Sequence, residues 1–459
     1  MDTLARKALP AIAAGAGSQV AARPATISET GLSHTFLDEL LVKHLHASGA
    51  LTLRHLTERL ALSGSIVEAL LGFLRRDGRA EVHPARGSDP SILYALTDKG
   101  RAMALEALAR SGYVGPAPVP LEQYAAVIRA HTVHGLVTTR QSMQAAFADV
   151  VLRESLLDQI GAALNSGRAI FIYGPPGTGK TYITRRLGRV LGSTTLVPYA
   201  VSVNENVMQV YDPILHRRVE NSRQPSSAAN ASNVLLEYGH DPRFVQCVRP
   251  FVMAGGELTM DMLGVRYDRA SRTYEAPLQF KANNGLLMID DLGRQRVEAI
   301  DLLNRWIVPM EEQQDYLSIG SGVHFSVPFD LVLVFSTNMD PRALADEAFM
   351  RRIGYKIAFD ALRPDEYAAI WQQTCATLGL ECEQRTVEFA MTELHAGMQV
   401  PLLACHPRDL LCIARDQMAY LNESGLIGPA SISRAWQSYF VHLKSSAKTS
   451  ADVERGSST

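Results

Sequence analysis

Residues 169–192 read AIFIYGPPGTGKTYITRRLGRVLG. The apolar run from Ala169 to Tyr173 has the composition of a buried parallel strand, and the residues after Thr181 read as a helix. Between them, Gly174-Pro175-Pro176-Gly177-Thr178-Gly179-Lys180-Thr181 fits GxxxxGK[ST]. Glycine at these places lets successive backbone N–H groups curl around a phosphate, and the helix that follows adds its positive end. Lys180 would reach the β- and γ-phosphates, and the Thr181 hydroxyl would ligate Mg2+. A strand before the loop and a helix after it separate this match from a chance one.

A second stretch, GLLMIDDLGRQ at 285–295, runs four apolar side chains into two adjacent carboxylates. Paired carboxylates repel and resist burial, so they need a cation or a shared proton. Given the phosphate loop, the cation is Mg2+ bound to ATP, with Asp290 in its shell. Asp291 would lie beside the γ-phosphate to orient or polarise the attacking water.

At this point the chain resembles the AAA+ ATPase family. GPPGTGKT and LLMIDD resemble its two nucleotide motifs, and LVLVFSTN at 331–338 resembles the strand ending in the polar sensor, here Asn338. DEAFMRRIGYKIAF resembles the segment that ends in an arginine finger, here Arg351 or Arg352. HPRDLLCIARDQ resembles the start of the lid helix carrying the second sensor, Arg408. The resemblance implies an α/β fold, a doubly wound parallel sheet over 131–359 with an α-helical lid over 360–445. It also implies a homo-oligomeric, hexameric ring in which the finger reaches a neighbour's nucleotide. From the residues alone, Arg351 and Arg352 equally suit an internal salt bridge, and Asn338 a turn cap before Asp340-Pro341.

One departure matters. The family usually carries Asp-Glu where this chain has Asp290-Asp291. Aspartate is one methylene shorter, and catalysis is sensitive to misplacement of about 1 Å. The departure leaves three alternatives open: slow hydrolysis, dependence on a partner, or recruitment of Glu311 or Glu312.

Towards the amino terminus, residues 34–77 read as three helices, followed by two short strands around a Gly/Ser/Asp/Pro tip and a helix capped by Thr97 or Asp98. This order, over 31–112, resembles a winged helix-turn-helix. The third helix opens with Gly64, Ser65, Ile66, Val67 and Glu68, and no base precedes Arg75. Residues 31–112 hold ten basic and nine acidic side chains, far from a phosphate-binding stripe, so a protein partner is favoured over DNA. Flanking this module, 1–30 reads as a disordered leader, 113–130 as a stiff Pro-rich linker, and 446–459 as a disordered tail.

Lys180 and Asp290 are 110 positions apart, roughly twice what a strand, a helix and short turns need. Three hairpins fill the excess or follow it: VPYAVSVNENVMQVYD, MLGVRYDRASRTYEAPLQF and YLSIGSGVHFSV. The third stands where the presensor hairpin of the MoxR-type branch stands, and resembles it. The stretch RRVENSRQPSSAANASNVLLEYGH reads as a polar loop.

Composition agrees with a cytoplasmic chain without membrane insertion. No window approaches 18 strongly apolar residues, net charge is -2, and Cys247, Cys375, Cys382, Cys405 and Cys412 are scattered without a CxxC pair. The leading reading is an ATP hydrolase that remodels or regulates a partner. The alternatives are a DNA-binding regulator whose assembly ATP controls, and a nucleotide-dependent scaffold with little hydrolysis.

Overall fold

The computed structural model describes residues 21–84, 92–219, 240–320, 322–344 and 347–440. The described residues fall into two compact units. One lies within Met1–Phe147, Glu154–Tyr173 and Thr181–Ala358, the other within Ala148–Arg153, Gly174–Lys180 and Phe359–Thr459.

In the first unit the apolar strands Ile170–Tyr173, Phe251–Ala254, Leu286–Ile289, Val332–Thr337 and Tyr355–Ala358 form a wholly parallel sheet. Spatially, Phe251–Ala254 lies at one edge, then Leu286–Ile289, Val332–Thr337, Ile170–Tyr173 and Tyr355–Ala358. The first strand in the chain thus sits between the fourth and the fifth. Such a reversal of direction is where open α/β sheets bind ligands, beyond the carboxyl ends of their strands. Continuous apolar sequence is what a sheet covered by helices requires, and every side chain of Leu286–Ile289 is fully buried. On one face Leu302, Leu303 and Trp306 of the helix Ala299–Glu312 pack with Phe349 and Ile353 against Leu287, Ile289 and Phe335.

The three expected hairpins are present, pairing Ala200–Val203 with Asn206–Gln209, Arg266–Asp268 with Thr273–Glu275, and Gln314–Ile319 with Val323–Pro328. In the first, Asn204 and Glu205 hold φ of 47° and 64°, the left-handed pair a tight two-residue turn demands. Ser321, at the tip of the third, lies outside the described residues, as do positions 220–239 of the expected polar loop.

Residues 34–110 give helices His34–Ser48, Leu53–Leu60, Gly64–Arg76 and Asp98–Arg110 with the antiparallel pair Ala80–Pro84 and Ile92–Leu96. Thr97 caps the last helix by accepting from the Gly100 N–H. A further strand, Ala50–Thr52, pairs with Ile92–Leu96. The expected wing tip, 85–91, lies outside the described residues.

Two expectations are corrected. Residues 1–20 of the expected leader lie outside the described residues, but 21–30 are packed, with Ala21 and Thr30 buried. Arg243, 1% exposed, donates to Thr30 O (2.9 Å), Pro118 O (3.3 Å) and Gln123 Oε1 (2.9 Å) and pairs with Asp241 at 2.8 Å. A buried guanidinium must fill its donors, and backbone carbonyls of this segment fill them. The segment 113–130 is likewise no free linker. Tyr113, Ala117 and Val119 are buried, Val119–Pro120 pairs with Val201–Ser202, and Leu121–Ala130 is a helix. Pro120 is tolerated because its strand is at the edge of its sheet.

In the second unit, helices Pro364–Leu378, Thr386–Phe389, His406–Tyr420 and Pro429–Tyr439 enclose Tyr367, Trp371, Leu410 and Trp436, with a π-helical turn at Ala390–His395. Positions 446–459, the expected tail, lie outside the described residues. Among the described residues no helix is long and apolar enough to cross a membrane.

Candidate functional site

In the first unit the buried strand Leu286–Ile289 ends in Asp290, whose N–H donates to Ala254 O on the neighbouring strand at 2.8 Å. The carboxylate accepts two hydrogen bonds and the backbone carbonyl of the same residue a third. Thr181 Oγ1 donates to Asp290 Oδ2 at 2.7 Å, the Asp291 N–H donates to Oδ1 at 3.0 Å, and Gln295 Nε2 donates to the Asp290 carbonyl at 2.8 Å. The two residues predicted as Mg2+ ligands are therefore in direct contact, one hydroxyl and one carboxylate, both hard oxygen donors.

Asp291 adopts φ of 51°. This left-handed residue ends the extended run of the strand, and aspartate tolerates that backbone better than most side chains. Its Oδ1 accepts from Asn338 Nδ2 at 2.8 Å. Asn338 follows the strand Val332–Thr337, and Thr337 Oγ1 donates to Leu292 O at 2.8 Å, tying the two strand ends together. Asp290, Asp291, Asn338 and Thr181 thus form one cluster.

In the second unit the loop from Gly174 to Lys180 is bent by Gly174, Gly177 and Gly179 at φ of 143°, 83° and 91°. At Gly177 any side chain is excluded, since a Cβ would lie 2.5 Å from Cys405 Sγ. The Cys405 N–H donates to Gly177 O at 3.1 Å, and Thr178 Oγ1 donates to Pro175 O at 2.9 Å. Lys180, 6% exposed, donates from Nζ to the carbonyls of Gly174 and Pro175, each at 2.8 Å. Its ammonium is thus held at its own loop. Pro175 and Pro176 shape that loop without contributing N–H donors. Arg408 is exposed in the first turn of His406–Tyr420, three residues beyond Cys405.

Arg351 and Arg352 are not part of the acidic cluster. They end the helix Glu347–Arg352, ahead of the strand Tyr355–Ala358, whereas the carboxylates follow the opposite ends of strands in the same parallel sheet. Four residues of strand put about 13 Å between those ends. Arg352 pairs with Glu311 at 2.5 Å and Arg351 with Glu347 at 2.6 Å. Glu311 is accordingly committed at the arginine end, and Glu312 accepts from Tyr316 OH at 2.8 Å, so neither stands in for Asp291.

Sequence reading did not single out Gln295, Thr337 or Cys405. Gln295 lies five residues beyond the carbonyl it holds, in a stretch without helical or strand period, so no pattern marks it. Cys405 meets the loop across 228 positions of sequence, a contact no local signal carries.

Residues 363–438 match a family model described as a domain of unknown function (DUF8689). No curated protein matches the chain. Among solved structures, the Thermotoga maritima RuvB Holliday junction branch migration motor is 13% identical, covering 62% of this chain and 68% of that chain with a TM-score of 0.35. A mutant of the same Thermotoga maritima RuvB gives 15% identity, the same coverages and a TM-score of 0.37. NtrX from Brucella abortus is 14% identical over 67% of this chain and 56% of that chain, with a TM-score of 0.38.

Proposed function

We propose that the chain is an ATP hydrolase that works with Mg2+ in a ring of its own copies and remodels or regulates a protein partner. The observation that carries the proposal is the 2.7 Å contact of Thr181 Oγ1 with Asp290 Oδ2 at the exit of a phosphate-loop sequence. Glycine-bent backbone before Lys180 suits a triphosphate, with the residues Gly174, Pro175, Pro176, Gly177, Thr178, Gly179, Lys180 and Thr181 in that role. Among the described residues no cluster of three or more His, Cys, Asp or Glu forms a cage for an ion. Mg2+ keeps waters and phosphate oxygens and needs one or two protein ligands, here Thr181 and Asp290. Bound there, the ion would neutralise charge on the β- and γ-phosphates.

Asp291, oriented by Asn338, would accept a hydrogen bond from the attacking water and steer it in line. Lys180 would leave the Gly174 and Pro175 carbonyls for phosphate oxygens. Arg408 would act on nucleotide in its own chain. Arg351 and Arg352 are a sheet length from the acidic cluster of their own chain, so a role in hydrolysis requires another copy. This supports the ring reading.

DNA is the weaker partner. The solvent face of the helix Gly64–Arg76 presents Ser65, Glu68, Ala69 and Phe73 before its first base, Arg75. Duplex contact there would lack phosphate neutralisation. A winged-helix role in docking protein, kinship of the third hairpin with the MoxR-type branch, and a cytoplasmic setting belong to the same proposal.

The test is steady-state ATP turnover at rising protein concentration, with and without duplex DNA. Mg2+-dependent turnover that rises cooperatively, ignores DNA and is lost in Asp291→Asn supports the proposal. Turnover that requires DNA favours the regulator, and Mg2+-dependent ATP binding without turnover favours the scaffold.

A further inference from the structure

At the end of the central sheet remote from Asp290, a cavity of about 420 Å³ opens among the residues that lead into three of its strands. Its apolar floor is Pro309, Met310, Phe329, Leu331 and Leu333. Its rim carries three guanidiniums, Arg168, Arg351 and Arg352, with His134 in the wall. The volume lies within the range of small-molecule pockets, and the pattern of apolar floor with a few convergent polar groups is theirs as well.

The charges do not cancel. Among the described residues Glu311 is the lone acid in the lining, and its carboxylate is engaged by Arg352. Arg351 is tied only to Glu347, in a pair exposed on both sides and therefore weak. The Arg168 side chain makes no hydrogen bond or ion pair among the described residues. A second polar group is also unmet. His134 Nε2 faces Asp330 Oδ1 at 3.4 Å, while Nδ1 is buried and has no hydrogen-bond partner among the described residues. Gly167, with φ of 64°, leaves the room this ring takes, since a Cβ there would lie 2.6 Å from Nδ1.

We infer that this cavity binds a small amphiphilic anion, with an apolar body on the Phe329, Leu331 and Leu333 floor and a carboxylate or phosphate against Arg168 and Arg351. The anionic group takes the unpaired guanidinium of Arg168 and the weakly held one of Arg351. The cavity is remote from the acidic cluster of its own chain but shares Arg351 with the ring reading, and Arg168 distinguishes the two, since no part in hydrolysis is proposed for it.

The test is a fluorescence titration of the full chain with 8-anilinonaphthalene-1-sulfonate, an aromatic sulfonate that carries both features. Phenyl phosphate and phenylacetate serve as competitors. Saturable binding is expected, weakened at least about tenfold by Arg168→Glu and by Arg351→Glu, and unchanged by Arg342→Glu on a distant exposed arginine. Circular dichroism checks that each variant folds. The more effective competitor tells phosphate from carboxylate. Absent saturable binding, or affinity equal to the parent's in either glutamate variant, overturns the site. Probe binding that fades as chain concentration rises, with self-association lost in Arg168→Glu, overturns it too and gives the face to a second copy.

Discussion

Thr181 Oγ1 and Asp290 Oδ2 touch at 2.7 Å although 109 positions separate them in sequence. The hydroxyl opens a helix and the carboxylate closes a strand, so two different elements converge on one cation position. Replacing Thr181 by Ser keeps the oxygen, and Val keeps the shape without it. Thr181→Val and Asp290→Asn should each weaken Mg2+-dependent nucleotide affinity at least about tenfold, with Thr181→Ser near the parent. Titration of a fluorescent ATP analogue with and without EDTA measures this.

Asp291 combines φ of 51° with a hydrogen bond from Asn338. Asparagine adopts left-handed backbone readily, so Asp291→Asn should preserve stability within about 0.5 kcal/mol. It removes the charge that polarises water, and turnover should fall by about 10²- to 10⁴-fold. A β-branched residue cannot share that backbone at ease, and Asp291→Val should cost about 1–2 kcal/mol as well. Thermal unfolding beside steady-state kinetics separates the two effects.

His406, 3% exposed, sits 5.0 Å from His395. Burial, aided by His395, pushes its imidazole down to about 4 from the ordinary 6.5. Burial lowers His395 as well. Between those values the unfolded chain binds a proton that the folded one refuses, so stability rises with pH across that window. The second unit should therefore weaken as pH falls from 6.5 towards 4. His406→Phe should flatten the profile of urea midpoint against pH, and an unaltered slope would remove this cause.

Arg243 is a buried hub whose acceptors come from two distant stretches and from Asp241 beside it. Arg243→Ala leaves Asp241 buried and unpaired and should destabilise the first unit by about 3–5 kcal/mol. Lysine cannot reproduce the fork, so Arg243→Lys should recover little of this. Equilibrium unfolding in urea reads both.

How much was legible in sequence follows from where the information lies. The phosphate loop, the strand into Asp290 and the hairpin turn at Asn204-Glu205 are local patterns, in which composition and period fall within a dozen residues. The packing of 21–30 and 113–130 was not legible because its cause is remote. Arg243 reaches Thr30 across 213 positions and Pro118 across 125. Polar, Pro-rich sequence reads as linker until its carbonyls are needed elsewhere. The pairing of Glu311 with Arg352 was hidden in the same way, since only the sheet brings a helix end to a strand start. The acidic cluster was visible as residues, whereas the left-handed backbone at Asp291 was not.

The most direct measurement of the central claim is Mg2+-dependent ATP hydrolysis by the full chain beside Lys180→Ala and Asp290→Asn. The account predicts turnover in the parent chain, lost in both variants together with Mg2+-dependent ATP binding. ATP binding and turnover that persist unchanged in either variant would contradict it.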